Sequence, residues 1–294
     1  MCSSPLWEEM YTTRDRHYGI PGEFRVVRCL GCCLVFLNPM CSDEELAALY
    51  PASYYAYQDK FQTSAFKQGL KRALGLRIMT KDPRFAIPGR VLDIGCGSGW
   101  FLRTMQHRGW TAWGVEINEA AARVGRDLAG LNIFCGRLEQ AGFPSEYFDY
   151  VRSNHAFEHM CHPREQLQEI RRILKPGGKL MLGVPNVESW PAKWFGRYWW
   201  YLGAPVHPFS YSVRTLTALL QENDFAIENV AYNGDYFGIV GSCQIWLNRH
   251  NGKTSSEGWL VNNPLLRLCS QWLMNMIDWA GQGDCIEVTS SRVG

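Results

Sequence analysis

The chain has 294 residues, enough for one large domain with appendages or two small ones, and enough to bury a real core. Hydrophobic residues make up 46% and charged residues 20%, the balance of an ordinary globular protein, and a net charge of +2 gives no reason to expect nucleic acid as a partner. No run of about 20 apolar residues occurs to span a membrane, and the first nine residues lack the basic-then-apolar order of a secretory signal. The cytoplasm is therefore the expected location, and the eleven cysteines read as reduced thiols or metal ligands rather than a disulfide framework.

Glu23 to Arg28 alternates polar and apolar and reads as a strand. Cys29-Leu30-Gly31-Cys32 follows as a tight turn, and Leu34 to Leu37 reads as a second strand ended by Asn38-Pro39. The Cys29-x-x-Cys32 turn between strands resembles one knuckle of a zinc ribbon. Tetrahedral zinc needs four ligands, usually from two such knuckles. Cys2 stands upstream, and Cys33, Cys41 or a nearby His are candidates to complete the set; the alternative is a metal-free hairpin. Ser42-Asp43-Glu44-Glu45 is a capping-box candidate opening a short helix through Tyr50. Residues 60–80 read as a basic amphipathic helix marked by Phe61, Ala65, Leu70, Leu74 and Ile78. The chain thus divides into a β segment at 1–40, a helical linker at 41–88 and a main domain at 89–294.

From Pro88-Gly89 onward, strand and helix alternate. Val91–Ile94, Thr111–Glu116, Asn132–Cys135, Phe148–Ser153 and Lys179–Val184 read as strands, with helices at Trp100–Arg108, Glu119–Ala129 and Pro163–Leu174 between them. This alternation implies a parallel, doubly wound sheet. Val213–Asn223 is helical, and Phe225–Val230 and Asp284–Thr289 read as the last two strands.

Asp93-Ile94-Gly95-Cys96-Gly97-Ser98-Gly99 lies between the first of these strands and its helix. Glycines let the backbone turn sharply and approach a ligand closely, and ligands of open α/β sheets sit beyond the carboxyl ends of the strands. Glu116 ends the next strand, where a carboxylate can accept both hydroxyls of a ribose. The glycines alone could be no more than a tight turn. A nicotinamide or flavin dinucleotide site is the rival, but its G-x-G-x-x-G spacing differs from the G-x-G-x-G found here. An acid two residues before the first glycine also suits a cationic aminoacyl ligand better than a pyrophosphate.

With Phe148-Asp149-Tyr150-Val151, Phe157-Glu158-His159 and Arg172-Ile173-Leu174-Lys175-Pro176-Gly177-Gly178 following in order, the sequence resembles the class I S-adenosylmethionine (SAM)-dependent methyltransferases over residues 89–235 and 284–290. The resemblance implies a Rossmann-like doubly wound sheet of seven strands, mostly parallel with an antiparallel last strand. It places Asp93 and the backbone of Gly95, Cys96, Gly97 and Gly99 at the methionine part of SAM. It puts Glu116 on the ribose, Ile117 on the adenine, and Leu138 and Glu139 nearby, with Arg137 where many members carry Asp. Asn154 and His155 would approach the sulfonium and the acceptor. The last two strands would form a hairpin, so residues 235–283 become an insertion.

Methyl transfer to a hydroxyl benefits from a base. His155, Glu158 and His159 stand at i, i+3 and i+4, one face of a helix. They read as a base, as a metal site, or as hydrogen-bonding of a helix end, which is the favoured reading for His159. His155 reads as substrate contact or as packing. Trp190, Trp194, Phe195, Tyr198, Trp199, Trp200 and Tyr201 crowd together, as core or as a lid over an apolar or sugar-bearing acceptor. His207, just beyond, is the leading candidate for the base. Cys135, Cys161, Cys243, Cys269 and Cys285 read as packing residues. The apolar helix near Leu265 to Trp279 reads as core or as a membrane-docking face toward a lipid-linked acceptor. The expectation is a SAM-dependent methyltransferase acting on a small-molecule, glycan or lipid-linked acceptor; at the ribbon, structural zinc on Cys29 and Cys32, with Cys2 as a candidate further ligand, stands beside the slightly favoured metal-free hairpin. The alternatives are an NAD(P)-dependent oxidoreductase or epimerase, and a non-catalytic SAM-binding adaptor.

Overall fold

The computed structural model describes residues 2, 4–42, 45, 46, 49, 85–250 and 256–294. The expected helix over 60–80 lies outside them. Three strands come first: β1 (Trp7–Thr13), β2 (Phe24–Cys29) and β3 (Val35–Leu37). The expected strands at β2 and β3 are present, while β1 was not legible. Its residues, Trp-Glu-Glu-Met-Tyr-Thr-Thr, do not alternate cleanly, and its antiparallel pairing with β2 carries an irregularity between Glu9 and Tyr11. At Ser42 the capping box forms, with Glu45 N–H donating to Ser42 Oγ at 3.2 Å and Ser42 N–H donating to Glu45 Oε2 at 2.8 Å.

The main sheet has seven strands. Along the chain they are β4 (Arg90–Ile94), β5 (Thr111–Glu116), β6 (Asn132–Cys135), β7 (Phe148–Asn154), β8 (Leu174–Pro185), β10 (Phe225–Tyr232) and β11 (Cys285–Arg292). Their spatial order is β10-β11-β8-β7-β4-β5-β6, with β11 antiparallel to both of its neighbours and the pairs from β8 to β6 parallel. This is the Rossmann-like doubly wound sheet that the motifs imply.

Period-2 alternation sends neighbouring side chains to opposite faces. Leu92, Val151, Leu180 and Leu182 join the cluster that also holds Leu167, Ile170 and Ile173 of α3 (Pro163–Ile173) and Leu216, Leu219 and Leu220 of α5 (Val213–Gln221). Val91, Tyr150 and Met181 join a second cluster with Phe101, Leu102 and Met105 of α1 (Trp100–His107) and Ala122 of α2 (Glu119–Ala129). Two helical layers therefore cover the sheet. The helices start where the chain supplies caps: Asn118 accepts from Ala121 N–H at 3.0 Å, and Ser212 from Thr215 N–H at 3.2 Å.

The N-terminal ribbon does not stand alone. β9 (Phe209–Ser210) adds to β3 as a fourth antiparallel strand. Val26, Val35 and Leu37 share a core with Ala192, Trp199, Leu202 and Ala204. The aromatic stretch is split by this arrangement. Trp199 is buried, while Trp190 and Trp194, in α4 (Trp190–Phe195), are exposed and stack on each other.

Between β10 and β11 the chain forms α6 (Ser242–Leu247), α7 (Trp259–Asn262) and α8 (Pro264–Trp279). Within α8 only Gln271, Met274 and Ile277 are buried, and Leu265, Cys269, Trp272, Met276 and Trp279 are exposed. Cys269, expected to pack, is therefore at the surface, because it belongs to the outward face of this helix.

Candidate active site

The glycine loop leaves the carboxyl end of β4 and enters α1. Gly95, Gly97 and Gly99 have φ of +72°, +55° and +84°, a region that side-chain-bearing residues rarely adopt. Close packing adds a second constraint, since a Cβ on Gly95 would stand 2.4 Å from that of Ala156, and one on Gly99 2.3 Å from Leu131 Cδ1. Glu116, buried at the end of β5, accepts from Gly97 N–H at 2.8 Å and from Asn118 N–H at 2.9 Å. Its carboxylate ties the loop to the start of α2. Burial raises its pKa, against the pull of these amides.

Asp93 is buried and paired with Arg152 of β7 at 2.9 Å, and the Arg152 guanidinium lies 4.2 Å from the centroid of the Phe101 ring. Arg152 was not anticipated, although a cation directly after Tyr150 and Val151 in a buried strand is itself a signal of a buried partner. Cys96 is buried, and Ile117 is 57% exposed at the open end of β5. Leu138 is a core residue, and Glu139 accepts from Gln166 Nε2 at 3.1 Å. Arg137 N–H donates to Gln140 Oε1 at 2.9 Å, closing a local turn.

β7 ends at Asn154, whose side chain lies over Gly183 of β8; a Cβ there would be 2.2 Å from Asn154 Oδ1. His155 follows in a left-handed conformation, φ +53°, with its N–H on Gly183 carbonyl at 2.8 Å. This turn sends the imidazole toward Glu158, where Nδ1 stands 3.5 Å from Oε1. Glu158 is buried in the 3₁₀ turn Phe157–His159. Burial acts to lower the His155 pKa, but Glu158 outweighs it, with Asp235 and Glu287 adding to the field, and the net shift is upward. Burial likewise opposes charge on Glu158, yet His155 and its neighbours pull the carboxyl down to about 2.

The region around His155 gathers residues from distant parts of the chain. The Tyr201 ring stacks at 6.3 Å from His155, and its hydroxyl donates to Asp235 at 2.6 Å. Asn233 Nδ2 donates to the buried Glu287 at 2.5 Å. Trp199 Nε1 and Ser189 Oγ both donate to Asp284 at 2.9 Å, and burial raises that carboxyl to about 7. His159 and His207 meet edge to face with ring centroids 4.5 Å apart. Burial pushes His159 down and His207 down to about 3. Asp235 and Glu287 were missed, while Tyr201 was named only as one ring of the aromatic stretch. Asp235 sits in a Gly-Asp turn that reads as a loop, and Glu287 was hidden inside a strand, where an acid flanked by Ile286 and Val288 was the available clue.

Cys2, Cys29 and Cys32 come together with their sulfurs within 4.8 Å of one another; Cys33 and Cys41 are outside that group. Cys2 Sγ is 3.5 Å from Cys29 Sγ. The N–H of Cys32 directed at its sulfur lowers the Cys29 pKa to about 7, against burial.

Comparison with known proteins agrees with this arrangement. A family model described as a methyltransferase domain matches residues 59–230, more than half of the chain. The ubiquinone/menaquinone biosynthesis C-methyltransferase UbiE of Bordetella parapertussis is 40% identical over 105 residues, 32% of this chain and 40% of the relative. The chain thus spans about two fifths of the length of the curated relatives it matches. Among solved structures, a SAM-dependent methyltransferase from Archaeoglobus fulgidus superposes with a TM-score of 0.51 at 20% identity, over 81% of this chain and 99% of that one. A structure titled as a complex of the Haloferax volcanii Trm112 methyltransferase activator with a methyltransferase gives the same score at 18% identity, over 76% and 89%. Likeness at this identity speaks for the fold. The family match displaces the oxidoreductase and adaptor alternatives. On the strength of the matched domain, the sheet order and the glycine loop with its strand-end acids, the chain belongs to the methyltransferase-domain family and is a class I SAM-dependent methyltransferase.

Proposed function

We propose that the chain methylates a hydroxyl of a small-molecule, sugar or lipid-linked acceptor, with His155 as the base. The observation that carries this reading is the His155–Glu158 pair after the carboxyl end of β7, next to β4, whose carboxyl end leads into the glycine loop. The methyl donor SAM supplies an electrophilic methyl on a sulfonium. Glu116, Asp93 and the amides of Gly95, Cys96, Gly97 and Gly99 are the groups assigned to hold it, with Ile117, Leu138, Glu139 and Asn154 around the adenosyl part. The cradle fits such a ligand, because the loop is held free of side chains at three glycines and the Glu116 carboxylate stands beside it at the end of the next strand.

In the transfer, a lone pair of the acceptor oxygen forms the new C–O bond. The C–S bond breaks, its electrons stay on sulfur, and the hydroxyl proton passes to His155. In-line alignment at about 3 Å is the main requirement. Glu158 stabilises the imidazolium that results. His207, with its pKa near 3, stays neutral at pH 7 and is a weak proton acceptor, so it ranks behind His155 as base. Tyr201, Asp235 and Glu287 make the surroundings of His155 polar, which favours a hydroxyl-bearing acceptor. Labelled SAM offered with hydroxyl, amine and carbon acceptors tests this. A product methylated at carbon, the chemistry in the name of the UbiE relatives, would overturn the choice of atom.

The lipid-linked form of the acceptor is favoured by α8. Leu265, Cys269, Trp272, Met276 and Trp279 make one outward stripe of the helix, and Trp279 is 92% exposed. Tryptophans on an exposed apolar stripe suit a membrane interface, although no described helix is long and apolar enough to cross a membrane. Co-sedimentation with phosphatidylcholine vesicles is expected for the intact protein and reduced by Trp272→Ser with Met276→Ser; equal sedimentation would remove this form.

The three N-terminal thiols are proposed as zinc ligands, stabilising the ribbon against the aromatic stretch. Metal analysis of the purified protein is expected to find zinc, and Cys29→Ser is expected to remove the thiolate-bound share of it.

A further inference from the structure

Glu158, His159 and His207 each offer a ligand atom within 4.8 Å of the others. They come from the turn after β7 and from the segment preceding β9, so only the fold brings them together. His159 Nδ1 lies 2.8 Å from the Val206 carbonyl, and His207 Nδ1 lies 3.1 Å from the Tyr201 carbonyl. A carbonyl only accepts, so each Nδ1 carries the proton and each Nε2 carries the lone pair. A main-chain carbonyl fixing one ring nitrogen is the usual way a metal-binding imidazole is oriented. Gly203 makes the His207 position accessible: its φ is +60°, and a Cβ there would stand 2.2 Å from His207 Nδ1.

The carboxylate points the same way. Glu158 is 1% exposed, and neither of its oxygens receives a hydrogen bond. His155 is at ion-pair distance from Oε1, too far for a well-formed hydrogen bond. A buried carboxylate without donors is costly unless another charge compensates it.

We propose that Glu158, His159 and His207 bind a first-row divalent cation, as a two-histidine, one-carboxylate set with open positions. Imidazole ligands suit zinc, iron and cobalt, and such a set leaves room for a ligand oxygen. Its role rests on the methyl-transfer reading: the cation would acidify an acceptor hydroxyl next to His155. Glu158 then serves both groups, Oε1 toward His155 and Oε2 toward the cation. Binding itself requires neither SAM nor acceptor.

The test is titration of the full-length, chelator-stripped protein with Co²⁺. Cobalt on thiolates gives intense charge-transfer bands, and cobalt on nitrogen and oxygen gives only weak visible bands, so the cysteine cluster is read separately. The expected result is a nitrogen–oxygen cobalt signal that His207→Ala and Glu158→Gln weaken by more than the roughly 10–100-fold that outer-shell changes cost. The thermal shift with SAM should persist in His207→Ala. Should that variant fail to fold, His159→Gln reads the same loss. Wild-type protein that lacks the nitrogen–oxygen signal overturns the proposal, as does His207→Ala that retains it. Absence of the SAM shift in wild type overturns the methyl-transfer reading instead, while cobalt still decides the cation site.

Discussion

The two halves of the main sheet are built differently. Around β4, β5 and β6 the site is made of short local stretches: a glycine loop, its strand-end acids and a helix start, all tied by main-chain amides such as Gly97 N–H on Glu116. Around β8, β11 and β10 it is made of single side chains from remote segments. His155 meets Tyr201, Asp235 and Glu287, and His159 meets His207. The first construction depends on backbone, and so constrains residue types over a contiguous run. The second depends on packing and leaves only isolated residues to read.

That contrast can be broken by substitutions that should act on one half only. The largest effect is expected for His155→Ala. Loss of a general base lowers kcat by about 10²–10⁴-fold, with the SAM-induced thermal shift retained; a simultaneous loss of the shift would mean that the halves are not separable. Glu116→Ala should abolish that shift in wild-type buffer, since charge-assisted hydrogen bonds are worth roughly 1.5–3 kcal/mol, or about 10–150-fold in affinity. NAD should shift neither protein, and stabilisation by NAD alone would contradict the cofactor assignment.

Gly99→Ala forces a Cβ to within 2.3 Å of Leu131 at a φ of +84°. It should cost about 1–3 kcal/mol by denaturant unfolding. A neutral outcome would show that the loop repacks.

The smallest effect sharpens the half around His155. His155 titrates above its ordinary 6.5, because Glu158 outweighs burial. As a base it acts when neutral, so kcat/KM should rise through this elevated pKa. Glu158→Gln should move that limb toward lower pH. The sign for stability is the reverse. The His155⁺–Glu158 attraction contributes fully below the unfolded pKa of His155 and is lost as pH rises through the folded value. Glu158→Gln should therefore lose the part of its stability that falls with rising pH, as read from melts across the neutral range. An unmoved limb would leave Glu158 a purely structural role.

Legibility follows the same division. The alternation of strand and helix, the glycine loop and Glu116 were readable because hydrophobic period and turn chemistry are local. The ribbon strands β2 and β3 were readable for the same reason, and β1 was not, because its residues do not alternate cleanly. The sequence also showed His155, Glu158, His159 and His207 as candidates, without bringing His207 to the other three. Spacing alone set His155, Glu158 and His159 on one helical face. The chain instead forms a left-handed residue and a 3₁₀ turn there, and both His155 and His207 come within reach of Glu158.

By itself, then, the sequence determined the parallel sheet, the order of its motifs and the class of methyl donor, since each depends on neighbours within a few residues. Only the tertiary structure decided that the ribbon takes a fourth strand from Phe209–Ser210, that Trp199 is core while Trp279 faces outward, and that Asp235 and Glu287 act on His155. Those outcomes depend on which distant surfaces exclude water from one another, and no local pattern of residues encodes that.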